Sequence, residues 1–200
     1  MKKLFTLLAL TISFGINAQI STNETINSGT NSSAIGLRTE ATGTQSVAIG
    51  YDSYASGDYS LAVGGLCSAE GEFGVAIGND VFSDGDETIG IGYGVEALAN
   101  SSIAMGFGTR TVEKYSFVIG RYNIAETIDL EDDSYSPENA AFTIGNGTGY
   151  NDRSDAFKVL FNGNTMISND LTVNGEIITS SDARLKTNIV SLGSTLSKLL

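Results

Sequence analysis

Seven glycines, Gly36, Gly50, Gly64, Gly78, Gly92, Gly106 and Gly120, stand 14 residues apart and close the same short phrase. The residues before them read Ser-Ala-Ile, Val-Ala-Ile, Leu-Ala-Val, Val-Ala-Ile, Ile-Gly-Ile, Ile-Ala-Met and Phe-Val-Ile. A period held over six intervals marks a repeat architecture. No unit of that length can bury its own apolar face, so the units must stack.

In the unit from Ser46 to Tyr59, Val47 and Ile49 fall on one side of a short strand and Ser46, Ala48 and Gly50 on the other. Neither side carries a charge, which predicts a strand buried on both faces. The expected arrangement has the branched residues filling the coil and the Ala/Gly side admitting another backbone. A second phased set, Ala41, Ala55, Ala69, Ser83 and Ala97, precedes Gly43, Gly57, Gly71, Gly85 and Ala99 by two residues. Those glycines are expected at a second corner needing positive φ. One unit is then two short strands and two corners.

The phrase Ser-Val-Ala-Ile-Gly followed by Ala-x-Gly, as in residues 46–57, resembles the head repeat of trimeric autotransporter adhesins. The resemblance covers residues 33–120, with an outlying unit at Ala141-Phe142-Thr143-Ile144-Gly145. It implies an all-β, left-handed parallel β-roll solenoid of 14-residue repeats, assembled as a homotrimer. Gly90 replaces the strand alanine, and Ala99 and Glu113 replace corner glycines, so the late coils are expected to be less regular or to cap the roll.

The expected organisation is a leader at 1–18, a linker at 19–32, the roll at 33–149, a β-rich neck at 150–179 and a terminal motif at 180–200. Lys2 and Lys3, the apolar run Leu4 to Phe14 and Gly15-Ile16-Asn17-Ala18 read as a secretory signal cut near Ala18. The run is too short to span a bilayer. The protein is therefore expected in the secreted or cell-surface compartment. Its lone Cys67 cannot form an internal disulfide, so packing or oligomerisation must hold it. Cys67 stands in phase with Ser53 and reads as a small residue of the coil. Loss of Lys2 and Lys3 with the leader makes the charge more negative than the whole chain's −12, which argues against nucleic acid.

An 11-residue excess between Gly120 and Gly145 marks an acidic insertion at 121–138, containing Glu126, Asp129, Glu131, Asp132, Asp133 and Glu138 with the only proline, Pro137. It reads as a solvated corner loop, with a calcium or ligand-contact loop as the alternative; no EF-hand spacing is present. No metal and no cofactor is assigned. Nonapeptide calcium repeats, threonine ice-binding ladders and phosphate-binding glycine loops do not fit the phasing. Beyond the roll, Phe157, Val159 and Phe161, then Asn162-Gly163, Leu171-Thr172-Val173, Asn174-Gly175 and Ile177-Ile178 predict strands joined by Asn-Gly turns.

Ser181-Asp182-Ala183-Arg184-Leu185-Lys186 and Thr187-Asn188-Ile189 resemble the opening of the intramolecular chaperone auto-processing domain, a serine self-peptidase family of tailspikes and endosialidases. That resemblance implies Ser181 as nucleophile, Lys186 as its base and a single cut between Ser180 and Ser181. The chain has no histidine, so a Ser-His-Asp arrangement is excluded and a Ser–Lys pair is the nucleophile-base candidate. Only the first part of such a domain is spanned. Leu192, Leu196, Leu199 and Leu200, after a Ser194 cap, predict a short helix start. Three functions follow from these features. The leading one is an exported fibrous trimer, adhesin-like or tail-fibre-like, with a glycan or protein surface ligand. The alternatives are a single-turnover self-processing chaperone and, last, a carbohydrate-acting solenoid, for which no phased carboxylate pair is present.

Overall fold

A computed structural model describes residues 22–125 and 135–175. Within them the chain is all-β without a helix, and its repeats wind into a parallel solenoid of about seven turns. Each turn contributes a five-residue strand, such as Val47–Tyr51, and a two-residue strand, such as Tyr54–Ala55. The long strands form an 11-stranded sheet and the short ones a 7-stranded sheet. Neighbouring strands pair parallel with a shift of one repeat, Val47 opposite Leu61 and Gly50 opposite Gly64.

The interior is made of small side chains, which reverses the expected facing. Ala48, Ser53, Ala55 and Ala62 are 0% exposed, whereas Val47 and Ile49 are only half-buried on the outside of the coil. Two sheets closed by tight corners leave a gap that takes a methyl or hydroxyl from each side. The branched residues of the long strand therefore point away from their own coil.

Gly90 displays the tolerance of that gap. A Cβ placed there would lie 2.8 Å from Val81 Cγ1 and 3.7 Å from Val95 Cγ1. Val81 and Val95 are the valines of a fully buried row that otherwise holds Thr39, Ser53, Cys67 and Thr109. Gly90 thus offsets two larger neighbours, and the coil it occupies is regular. Ile89–Tyr93 pairs through all five residues with the strands on both sides.

The corners also differ from expectation. Gly64 has φ +133°, and a Cβ there would sit 1.8 Å from the Gly78 carbonyl oxygen, so both conformation and space exclude a side chain. Gly57 lacks a positive φ; it is glycine because its Cβ would lie 2.0 Å from the Gly71 carbonyl oxygen. The left-handed corner positions fall instead on Asp52 (φ 52°), Leu66 (56°) and Asp80 (57°), and on Tyr59 (60°) and Phe73 (57°). Such a conformation costs a non-glycine residue on the order of 1 kcal/mol or more. It is held by cross-coil bonds: the Asp52 N–H donates to the Leu37 carbonyl at 2.9 Å, and the Tyr59 N–H to the Thr44 carbonyl at 2.8 Å.

The insertion leaves the ladder in register. Phe117 pairs with Phe142 and Gly120 with Gly145 across it. Its returning limb packs on the next turn, where the Asn162 N–H donates to the Pro137 carbonyl at 2.8 Å. Residues 126–134, with Glu126, Asp129, Glu131, Asp132 and Asp133, lie outside the described residues. After Ala140–Asn146 the sheet changes direction. Asp155–Leu160 and Thr165–Ile167 add as antiparallel strands joined through Asn162-Gly163, the turn expected there. The compact unit ends at Asn169; residues 170–175, in a second unit, are exposed and carry no regular structure.

Candidate assembly face and end cap

The outer face of the long sheet carries two phased rows of apolar side chains. One row runs Val47, Leu61, Val75, Ile89, Ile103, Phe117 and Phe142, and a second runs Ile35, Ile49, Val63, Ile77, Ile91, Met105, Ile119 and Ile144. Neither row holds a charge. Most members are half-buried, and Phe117 is 37% exposed. The antiparallel cap continues the stripe, with Phe157 against Phe142 at 6.1 Å between ring centroids and Ile167 opposite Phe157. Contiguous apolar faces of this kind are characteristic of association surfaces.

The end of the short sheet is closed by side chains. Asn123 accepts from the Arg110 N–H at 2.8 Å through Oδ1 and donates to the Arg110 carbonyl at 2.9 Å through Nδ2. Its carboxamide stands in for the peptide group that one more coil would supply, and the residue is 2% exposed. Around it, Arg153 Nη1 donates to the Gly108 and Asn123 carbonyls, and Asp155 accepts from the Ile124 N–H at 2.9 Å. Glu113, at the expected corner-glycine position, accepts through its carboxylate from the Ala140 N–H. The expected capping therefore falls at the Glu113 coil, while the Gly90 coil is an ordinary member of the stack. A cross-coil ladder escaped the sequence reading: Asp58, Asp86 and Asn100 each accept through Oδ1 from the N–H one repeat earlier, of Thr44, Glu72 and Asp86. Its signal is an Asp or Asn in phase one residue after the second corner position, Gly57, Gly85 and Ala99.

Cys67 sits inside the coil in the row of Ser53, as expected of a small core residue. Its thiol donates toward the Gly78 carbonyl at 3.3 Å, and burial raises its pKa above the ordinary thiol value. Ser181 and Lys186 lie outside the described residues, as do the leader 1–18, Ile177-Ile178 and the segment Leu192 to Leu200. Among the described residues no cluster of His, Cys, Asp and Glu could hold a metal, and no helix is long and apolar enough to cross a membrane.

Fold and face together define a stacked parallel β-solenoid with an uncharged outer sheet. The YadA head domain repeat model matches residues 28–53, 41–66 and 55–80, so the chain carries YadA head repeats over 28–80. The coils from Val81 to Gly120 keep the same period and strand register beyond that match. No curated protein matches the chain. The head repeats point to an adhesin-like surface protein.

Proposed function

We propose that the chain is an exported homotrimeric adhesin-like protein, in which three rolls bury their long-sheet faces against one another and present the remaining surface to a ligand. The observation that carries this reading is the uncharged Val/Ile/Phe face, which a single coil leaves half in water. Head domains of the YadA type are typically trimeric, in keeping with it. An exported chain whose one cysteine is buried needs such burial in place of disulfides. Light scattering on the eluting full chain should give three times the monomer mass. Ile49→Asp with Ile91→Asp should release monomer, because each would place a carboxylate in an apolar interface. A wild-type monomer with an intact melting transition would overturn the proposal.

A second reading rests on the Ser181-Asp182-Ala183-Arg184-Leu185-Lys186 motif. Here the chain aids its own trimerisation and cuts itself once between Ser180 and Ser181, with Ser181 as nucleophile and Lys186 as base. Lysine can serve as such a base when desolvation lowers its pKa. Intact mass should report loss of the tail in the wild type and its retention in Ser181→Ala. Retention in both would end this reading and leave the adhesin one standing.

A further inference from the structure

We propose that the flank of the roll carries a slot for a neutral glycan, walled by Tyr51 and Tyr93 and floored by Gly65 and Asn79. The inference deepens the adhesin reading and rests on this row, at the end of the long strands Val47–Tyr51 and Ile89–Tyr93, staying outside the Val/Ile interface that reading buries. Residues following the ladder glycines form their own row: Leu37, Tyr51, Gly65, Asn79, Tyr93, Phe107 and Arg121. The row of large side chains is interrupted for two coils, at Gly65 and Asn79.

The walls are built from both sides. Tyr93 stacks on Phe107 at 5.0 Å and 7°, so its ring lies across the solenoid axis with its other face toward Asn79. The Arg38 guanidinium, from the coil before, lies over Tyr51 at 4.6 Å and is held by Asp52 at 2.9 Å. The other Tyr51 face looks toward Gly65. Each tyrosine therefore has one buttressed face and one open face, and the open faces look at each other. Three strand spacings separate the two residues, about 14 Å. Both are well exposed, Tyr51 at 46% and Tyr93 at 52%.

The floor supplies polarity. A Cβ on Gly65 would lie 2.8 Å from Asn79 Nδ2, so the Asn79 amide leans over Gly65, while the Tyr150 hydroxyl lies beside Gly94, 3.1 Å from where a Cβ would stand there. This amide makes no hydrogen bond to another described residue, and Asp80 follows it directly.

Two aromatic faces with a free carboxamide between them suit a pyranose chain. The negative ring face attracts the polarised C–H groups of a sugar. The amide offers a donor and an acceptor to neighbouring hydroxyls. A cation is disfavoured at Tyr51, because Arg38 already occupies the opposite face and like charges repel. An anionic sugar would meet Asp52 and Asp80 on a chain of net charge −12. The occupant is therefore uncharged.

The test is an array carrying neutral gluco- and galacto-oligosaccharides, sialylated oligosaccharides and oligolysine, probed with the full chain. The expected result is binding to at least one neutral series. Gly65→Tyr, which refills the row at an ordinary φ with only the flexible end of Asn79 in its way, should abolish it. Tyr93→Ala or Tyr51→Ala should weaken it roughly tenfold. Mass by light scattering and melting temperature should be unchanged in all three. Absence of neutral-glycan binding, unchanged binding in Gly65→Tyr, or binding confined to the sialylated or oligolysine probes would overturn the slot. A monomeric chain that still binds neutral glycan through Tyr51 and Tyr93 would remove the trimer and leave the slot.

Discussion

Gly64 and Gly65 are neighbours with opposite tolerances. Gly64→Ala forces a Cβ against the Gly78 backbone at a positive φ and should lower stability by about 3 kcal/mol or more, read from thermal unfolding. Gly65→Ala meets only the Asn79 amide and should change the midpoint little. The buried gap makes a coupled prediction at Gly90. Gly90→Ala should cost about 1–3 kcal/mol by overpacking against Val81, and adding Val81→Ser should recover most of it, as a double-mutant cycle would show. Ser53 already demonstrates the fit, donating from that row to the Gly64 carbonyl at 3.1 Å. Cys67 should resist a thiol reagent until the chain unfolds. Because its folded pKa is raised, its contribution is fully present below the unfolded thiol's value and is lost as pH rises through the folded one. Stability measured against pH should therefore slope downward above about pH 8.5 in the wild type, and Cys67→Ser should flatten that slope.

At the level of the element, a solenoid strand must be paired on both edges or closed off. The long sheet closes by turning antiparallel at Asp155–Leu160, and the short sheet closes on the Asn123 carboxamide. Asn123→Ala should expose the Arg110 amide to faster hydrogen exchange and cost about 1–3 kcal/mol, since two backbone groups lose their partner. Exchange as slow as in wild type would show that another group covers this edge. The 14-residue period and the glycine ladder made the strands legible from residues alone, because a side chain at Gly64 or Gly57 is sterically excluded wherever the neighbouring coil is present. Asn123 was not legible as a cap. In the linear chain it is one more member of a row that holds Thr39, Ser53, Cys67, Val81, Val95 and Thr109, and its hydrogen-bonding role exists only where the following coil is missing.

For the whole molecule, charge opposes the assembly that the apolar face favours. Net charge −12 on each chain makes three chains repel, and salt screens repulsion between exposed charges over about 10 Å at 0.1 M. Trimer dissociation on dilution should therefore weaken as sodium chloride is raised from about 0.05 to 0.5 M, measured by light scattering. A trimer that loosens with salt would place ion pairs, not the Val/Ile face, at the centre of the interface. Surface pairs such as Arg38–Asp52 and Arg110–Glu96, both 2.9 Å, join adjacent coils of one chain and contribute about 0–1 kcal/mol each.

Residue order alone specified the 14-residue repeat and that its units must stack, because both follow from local spacing, while the parallel β-roll came with the resemblance to adhesin head repeats. It led to the wrong facing of the long strand: Val47 and Ala48 alternate whichever side is inward, both sides are uncharged, and bulk alone placed the branched residues inside. The closeness of the two sheets settled that choice, since the narrow gap takes Ala48 and Ala62 from the long strands, holds Val81 and Val95 where Gly90 yields space, and leaves Val47 and Ile49 outside. The tyrosine slot has the same origin, because Tyr51 and Tyr93 are 42 residues apart in the chain and become the two ends of one interrupted row only when the coils stack.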